Sequence, residues 1–343
     1  MGKEGDAGAR ETRACGMMKN TEDKLIAAFG NRIRRGELLA RFTTFKIGGP
    51  ADLFYEASTA DEMVSVVRQA RDMSLPVTVI GGGSNILIAD RGIRGLVVKN
   101  STGRIALAGI RGTVREGSAK RHVYVEADSG VIMNKLVRFT IEAGLSGLEM
   151  QLGLPGTVGG AIYMNSKWTH PEGYVGDPVY QATILTGSND VRVVPRSYFQ
   201  FGYDSSVIQK TGDIVLTVVF KLRSADKGML WETANGSIAY RRESQPQGVQ
   251  SSGCIFRNID KSRAIALSTP NLTTSAGFLL DHAGMKGARV GDAHVSDVHA
   301  NFMINTGRAR ASDMVELIER ARTAVKQKFG VVLQEEIVRM GEF

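Results

Sequence analysis

The chain of 343 residues has only two cysteines, Cys15 and Cys254, which excludes a framework of several disulfide bonds. A structural zinc site needs about four ligands, so we predict no metal site either. No stretch approaches the roughly 20 consecutive apolar residues that cross a bilayer. These absences indicate a reduced, cytoplasmic protein without a membrane segment.

Long runs of like charge are also missing, although Lys and Arg outnumber Asp and Glu by 43 to 35. The formal net charge of +8 is scattered, and neither a zinc knuckle nor a helix-turn-helix signature accompanies it. Scattered cations suit a phosphate-bearing small molecule as well as they suit a nucleic acid. We therefore predict a small-molecule substrate, no nucleic-acid partner and, by default, a monomer.

The first twenty residues lack an apolar signal core. They also lack a complete lipidation motif, because Asp6 stands where N-myristoylation requires Ser or Thr. We interpret residues 1–20 as a disordered leader, with Met17 or Met18 as a possible translation start. The rest of the chain is long enough for two or three domains.

Glycine, by contrast, is abundant at 40 residues, and it is clustered. The first cluster, GGGSN at 81–85, joins a predicted buried strand over 77–80 to a second short strand over 86–88. A Rossmann fingerprint would place its glycines at the start of a helix, so that fold is excluded. Successive amides of such a turn form a nest for pyrophosphate, but a tight hairpin without a ligand is the more frequent explanation.

The second cluster lies in LPGTVGGAIYMN at 154–165. Pro155 and Gly156 predict a turn, and the small residues at 159–161 remove side-chain bulk. Such a stretch admits the close approach of a flat ring or of another backbone. The alternative is a glycine bulge in a packed strand.

Several segments show the apolar periodicity of helices. One follows Thr59, which forms a capping box with Glu62, and a second covers 133–141. A third begins at a Ser312 cap and is followed by a predicted strand over 331–333. This alternation of helices and strands indicates an α+β or α/β chain of several domains.

Motifs with a recognisable order extend over nearly the whole chain from about Thr43. They are TFKIGGPAD (44–52), IGGGSNILIADRG (80–92), LPGTVGGAIYMN (154–165), SSGCIFRN (251–258), SAGFLLDHAGMKG (275–287), HANFMIN (299–305) and LQEEI (333–337). In this order they resemble the motifs of the UDP-N-acetylenolpyruvoylglucosamine reductase family, in its shorter, type II form.

The resemblance implies an α+β protein of three domains. The first two, 21–102 and 103–225, would form an oxidase-like, non-Rossmann FAD-binding fold, and the third, 226–343, an α+β substrate-binding domain. No histidine lies in the first glycine motif (GGGSN, 81–85) or in the second (LPGTVGGAIYMN, 154–165). We therefore expect FAD to be bound non-covalently. The cofactor-binding residues that the resemblance implies are Ile80, Gly81, Gly82, Gly83, Ser84, Asn85, Pro155, Gly156, Thr157, Gly159, Gly160 and Ala161.

The implied activity is the NADPH-dependent reduction of UDP-N-acetylglucosamine enolpyruvate to UDP-N-acetylmuramate through FAD, in peptidoglycan precursor synthesis. A hydride would reach C3 of the enolpyruvyl ether, and a proton would reach C2. The site must therefore polarise the substrate carboxylate as charge develops. It must also supply a proton to carbon.

The implied proton donor of the family is the serine of its AGSVFKN motif, and Cys254 takes that position here. A thiol, with an unperturbed pKa of about 8.5, is a chemically sensible acid at neutral pH. A lone cysteine is more often a buried core residue, which is the alternative for Cys254.

Further site residues follow from the same resemblance. Glu336 matches the glutamate implied to polarise the substrate carboxylate, while Glu335 should face the opposite side and be solvated. Arg257 and Asn258 match positions that contact the nucleotide phosphates. Tyr203 matches a substrate-side tyrosine.

One departure is serious, because Asp204 occupies the position of the catalytic arginine in the family's FGYRxS motif. Two unit charges about 4 Å apart interact by roughly 4 kcal/mol at an effective dielectric near 20, so the change would alter the rate by powers of ten. Either Asp204 turns outward and Arg241, Arg242 or Lys46 replaces the arginine, or catalysis is impaired. The hypotheses are a working reductase, a catalytically impaired flavin-binding homologue, and a different flavin oxidase.

Overall fold

The computed structural model describes residues 21–113, 120–170 and 172–343, so the predicted leader over 1–20 lies outside the described residues. Helices and strands alternate along the chain, as the α+β class requires. The helices are α1 (21–29), α2 (Ala60–Asp72), α3 (Met133–Glu142), α4 (Val158–Met164), α5 (Ile208–Thr211), α6 (Lys227–Ser244), α7 (Lys261–Ala266), α8 (Ala276–His282) and α9 (Ala311–Phe329). Among the described residues, none of these helices has both the length and the apolar character that crossing a membrane requires.

The strands fall into separate sheets. They are β1 (Arg34–Leu38), β2 (Pro50–Ala57), β3 (Val77–Ile80), β4 (Ile86–Ile88), β5 (Ile93–Asn100), β6 (Ile105–Thr113), β7 (Lys120–Asp128), β8 (Leu145–Ser146), β9 (Lys167–Thr169), β10 (Glu172–Tyr174), β11 (Val179–Leu185), β12 (Val191–Pro195), β13 (Ile214–Ser224), β14 (Arg289–Val290), β15 (Ala293–Val295), β16 (Met303–Asn305) and β17 (Val338–Met340). The predicted strands at 77–80 and 86–88 are β3 and β4.

The first packing unit is a sheet of order β1-β2-β5-β3 with α2 packed against it. Strands β2, β5 and β3 are parallel, and β1 is antiparallel to β2. Of the capping box predicted for α2, the Thr59 half is present, because its side chain accepts a hydrogen bond from the Glu62 amide at 3.2 Å. The Glu62 carboxylate accepts from the Ser58 amide at 2.8 Å. The buried face of α2 carries Met63, Val66 and Val67, in agreement with its periodicity.

The second unit is an antiparallel sheet of order β12-β11-β13-β7-β6, with β8 added beside β13. Its core includes the buried faces of α3 and α4. Helix α6, which the predicted boundary assigns to the third domain, contributes Leu230 and Ala234 to this second core. Helix α6 therefore packs with the second unit, and the chain enters the third unit after it. The predicted domain boundaries remain a prediction.

The third unit packs α8 and α9 against the small antiparallel sheet β14-β15-β16. The last strand, β17, extends away from this unit. It pairs in parallel with β4, the strand that follows the first glycine motif. The strand predicted over 331–333 is wrong. Val331 and Leu333 are buried in the third core without strand pairing, and the strand forms further on, where β4 offers a free edge.

The start of α9 also differs from the expectation. Ser312 is not the cap, since the N-cap residue is Arg310. The carboxylate of Asp90 instead accepts hydrogen bonds from the amides of Ala311, at 2.7 Å, and Ser312, at 3.0 Å. A carboxylate at a helix N-terminus satisfies free amides and complements the helix dipole.

We expect Asp90→Ala to lower the free energy of unfolding by about 1 kcal/mol, the usual cost of a lost helix cap. Ser312→Ala should leave it nearly unchanged, because the exposed hydroxyl of Ser312 caps nothing. Urea denaturation of the two variants beside the unmodified protein measures the difference. A larger loss in Ser312→Ala than in Asp90→Ala would contradict the assignment of the cap.

Candidate active site

A cavity of about 1170 Å³ is lined by residues from all three packing units. Small-molecule pockets usually measure about 300–1,000 Å³, so this cavity has room for a ligand of dinucleotide size. All twelve residues predicted to bind the cofactor line it. Of the predicted catalytic and substrate-binding residues, Arg257 does not reach its surface, whereas the following do: Cys254, Glu336, Asp204, Tyr203 and Asn258.

The two glycine motifs lie against each other and form one wall of the cavity. A Cβ atom added to Gly82 would lie 2.6 Å from the Gly156 Cα atom, and one added to Gly81 would collide with the Thr157 hydroxyl. Gly156 itself has a φ of +98°, which favours glycine. The close approach of another backbone, one of the two explanations for the second cluster, therefore applies at Gly156, which packs against Gly82.

The second glycine motif continues into a helix. The glycine bulge considered for it is wrong, because residues Val158–Met164 form α4. The side chain of Thr157 caps this helix and accepts a hydrogen bond from the Gly160 amide at 3.4 Å. A Cβ atom at Gly160 would meet nothing closer than 3.7 Å. The helix thus presents its least bulky residues beside the wall.

We expect Gly82→Ala to lose the flavin that the resemblance implies and to lower the free energy of unfolding by about 1–3 kcal/mol, since overpacking must separate the two motifs. The absorbance ratio of flavin to protein and the thermal midpoint measure both effects. Gly103→Ala is the matched control, because a Cβ atom there has nothing within 4 Å. Gly82→Ala behaving like this control would contradict the packing of the wall.

Cys254 and Glu336 lie side by side because the segment around Cys254 is extended between two others. The amide of Ile255 donates to the Asn301 carbonyl at 2.8 Å, and the amide of Glu336 donates to the Ile255 carbonyl at 2.7 Å. Cys254 and Phe302 form an isolated antiparallel bridge on one side of the segment. These backbone bonds place the thiol and the carboxyl group on the same cavity.

The glycine turn is tied to Glu336 as well. The side-chain amide of Asn85 donates to the Glu336 carbonyl at 3.1 Å, and the amide of Val338 donates to the Asn85 carbonyl at 2.9 Å. The pairing of β17 with β4 thus carries Glu336 to the first glycine motif. Residues more than 250 positions apart in the chain become neighbours in the site.

Burial and like charge raise the pKa values of the acidic groups of the site. Burial, together with the nearby Asp204 carboxylate, raises the pKa of Glu336 to about 8, against the opposing charge of Arg257. Burial also raises the pKa of Asp204, while Arg257 and Lys167 act in the opposite direction. The pKa of the Cys254 thiol is raised far above its ordinary value, first by burial and then by Glu336 and Asp204. At neutral pH the cavity therefore holds a thiol and a carboxylic acid that both retain a proton.

Comparison with known proteins agrees with this geometry. Residues 245–340 match the family described as "UDP-N-acetylenolpyruvoylglucosamine reductase, C-terminal domain", and residues 51–194 match "FAD binding domain". The reductase of Desulforamulus reducens is 35% identical over 310 residues, which cover 90% of this chain and 94% of that protein. The solved reductase of Thermus caldophilus is 31% identical and superposes with a TM-score of 0.72, over 90% of this chain and 99% of that chain.

The chain belongs to the UDP-N-acetylenolpyruvoylglucosamine reductase family. It is therefore an FAD-dependent oxidoreductase with the oxidase-like flavin fold that the resemblance implied. The FAD-binding match includes both glycine motifs, the twelve residues implied to bind the cofactor line one cavity, and Gly160 leaves open space beside it. The residues present thus fit FAD.

At the position of the family's arginine, Asp204 does not turn outward, contrary to one of the two expectations. Its side chain is only 6% exposed, and it lines the cavity from a backbone with a φ of +48°. Its Oδ2 atom is buried and has no hydrogen-bond partner among the residues that the structure describes. Lys46 is exposed and outside the cavity lining, so it cannot replace the arginine, whereas Arg241 and Arg242 do line the cavity.

Glu335 faces away from Glu336, but it is not solvated as expected. Its side chain is only 16% exposed and pairs with Arg322 and Arg339. The reason is that the far side of this segment faces basic side chains of α9 and β17 instead of water. Glu335 is therefore a structural residue of the third unit.

Other residues of the site were not predicted. Asn301 is buried and clamps the Cys254 segment, since its side chain accepts from the Phe256 amide at 2.9 Å and donates to the Phe256 carbonyl at 2.8 Å. His170 and His299 line the cavity although neither lies in a glycine motif. The HANFMIN motif was the available signal for Asn301 and His299, but nothing local in the sequence indicated that it would meet Cys254.

Proposed function

We propose that the protein reduces UDP-N-acetylglucosamine enolpyruvate to UDP-N-acetylmuramate, with NADPH as reductant and non-covalently bound FAD as cofactor. The reaction would take place in the cytoplasm as a step of peptidoglycan precursor synthesis. The observation that carries the proposal is the position of Cys254 beside Glu336 on a cavity that both glycine motifs line.

The glycine wall holds the cofactor in this proposal. The turn over residues 81–85 would hold the pyrophosphate through its amide groups, and Pro155 to Ala161 would hold the flavin. FAD held against this wall would supply the hydride chemistry, from NADPH to C3 of the enolpyruvyl group. The protein excludes water from the cavity and fixes the substrate against this wall.

Cys254 supplies the proton that C2 of the substrate receives. Its raised pKa means that the thiol keeps its proton at neutral pH until a strong base forms beside it. The enolate-like species that follows hydride addition is such a base. Proton transfer to carbon then completes the lactyl ether.

Glu336 and the residues around it hold the rest of the substrate. A protonated Glu336 donates a hydrogen bond to the enolpyruvyl carboxylate, which stabilises the charge that develops there. Asn258, which lines the cavity, contacts the nucleotide phosphates, whereas Arg257 lies behind the cavity surface and acts on Asp204 and Glu336 through its charge. The Tyr203 hydroxyl, which accepts a hydrogen bond from the Asn258 amide at 3.3 Å, lies on the substrate side.

Asp204 favours a second candidate function, a flavin-binding homologue with impaired catalysis. Its carboxyl group faces the cavity where the resemblance implies a cation. It therefore disfavours binding of the substrate carboxylate at this place. A flavin oxidase with another substrate is the third candidate.

The colour of the purified protein separates these candidates. A working reductase is yellow, bleaches with NADPH in the absence of oxygen, and regains its colour when UDP-N-acetylglucosamine enolpyruvate is added. Bleaching without recovery would favour another flavin enzyme. A yellow protein that NADPH does not bleach would favour the impaired homologue.

A further inference from the structure

A substrate carboxylate is bound best by a cationic side chain of the cavity that is not already paired with a carboxylate of the protein. Arg257 does not meet this need, because its one charge already acts on both Asp204 and Glu336. Of the lysines and arginines that line the described cavity, Arg71 donates to the Thr186 carbonyl at 2.7 Å, and Lys167 pairs with Glu172 at 3.3 Å. Arg242 is exposed.

Arg241, the remaining cation of the lining, is partly buried at the end of α6. Its Nε atom is buried without a hydrogen-bond partner, and its side chain forms no ion pair with the residues that the structure describes. Burial lowers the pKa of Arg241 to about 10, and the nearby Cys254 is the titratable group that opposes this shift. The guanidinium therefore stays charged at neutral pH, within electrostatic reach of the Cys254 thiol.

The position of Arg241 is built by its neighbours. Its guanidinium lies 4.2 Å from the centroid of the Trp168 ring, a distance typical of a cation–π contact. The indole is only 3% exposed and is held by a 2.7 Å hydrogen bond to the His170 carbonyl. A Cβ atom at Gly153 would lie 2.8 Å from the Arg241 Cδ atom, so glycine at 153 leaves the space that the arginine fills.

We propose, on the basis of the proposed function, that Arg241 binds the enolpyruvyl carboxylate in place of the arginine missing at position 204. The carboxylate carbon is bonded directly to C2, the atom that Cys254 protonates. Arg241 and Cys254 line the same cavity, so a carboxylate bound beside the thiol lies in the space that the guanidinium also faces. Trp168 holds the guanidinium in place, which compensates for the absence of a protein carboxylate.

The two half-reactions of Arg241→Gln, followed separately in a stopped-flow instrument without oxygen, test this proposal. We expect flavin content and the NADPH-dependent bleaching to be unchanged, and the substrate-dependent reoxidation to slow by about 10²- to 10³-fold, as for the loss of one charge-stabilising donor. Arg241→Lys, which keeps the charge, should lose less. Lys227→Gln is the control, because it removes one positive charge from the same helix at an exposed site paired with Glu142.

The methyl ester of the substrate carboxylate shows whether Arg241 acts on that group. The unmodified protein should reduce the ester about 10²- to 10³-fold more slowly than the acid, whereas Arg241→Gln should reduce the two at nearly equal rates. An equal ester penalty in both proteins would overturn the proposal. If Arg241→Gln does not retain flavin, the same comparison is made with Arg241→Lys, which should show a reduced ester penalty. If the unmodified protein bleaches but never reoxidises with the acid, the proposed function fails instead.

Discussion

Replacing Cys254 with alanine is expected to slow the substrate-dependent reoxidation of the flavin by about 10²- to 10⁴-fold, the usual contribution of a positioned general acid. The loss should be confined to this half-reaction, because the thiol is proposed to act only on C2 of the substrate. Stopped-flow absorbance of the flavin, with NADPH and the substrate added in separate experiments, measures both rates.

Cys254→Ser is the matched control, since a hydroxyl of nearly the same size can carry a proton at the same place. It should keep much of the reoxidation rate that the alanine variant loses. An equal loss in both half-reactions would indicate a structural role, and it would contradict the assignment of Cys254 as the proton donor. Normal reoxidation in the alanine variant would contradict it as well.

Parts of the fold could be predicted because their signals are local. The periodicity and the capping box of α2 depend on residues within one or two turns of each other, and Thr59 caps the helix as expected. The start of α9 could not be predicted in this way. Its amides are capped by Asp90, which is 221 positions from Ala311 in the chain, so the nearby Ser312 was a plausible but wrong choice.

The distinction between local and long-range signals applies to the site as well. Family motifs indicated which residues matter, and nearly all of them line one cavity. Their environment could not be predicted, because it depends on segments far apart in the sequence. Glu335 was expected to be solvated from its alternation with Glu336, yet it faces Arg322 and Arg339. The contact between Arg241 and Trp168 likewise joins β9 to α6, and no spacing in the sequence indicates it.

The pH dependence of the substrate-dependent half-reaction should depend on Glu336. Asp204 and Arg257 are the charged groups that act on Glu336, and the thiol of Cys254 and the hydroxyl of Tyr203 lie near it as well. Burial together with Asp204 raises the pKa of Glu336 to about 8. Below this pH the carboxyl group is neutral and donates to the substrate carboxylate; above it, an anion repels that carboxylate. The reoxidation rate should therefore fall as the pH rises through about 8, by up to about tenfold per pH unit.

Glu336→Gln should keep a neutral donor at every pH and so lose this alkaline decline, whereas Glu336→Ala should be slowed about 10²- to 10³-fold throughout. Glu335→Gln is the control and should retain the decline.

The stability of the fold should also decrease with rising pH. A carboxyl group with a raised pKa stabilises the fold fully below its unfolded pKa of about 4.3, and this contribution is lost as the pH rises through about 8. The thermal midpoint should therefore fall between pH 6 and 9 by more in the unmodified protein than in Glu336→Gln. A decline of the same size in both proteins would place the titrating group elsewhere in the cavity.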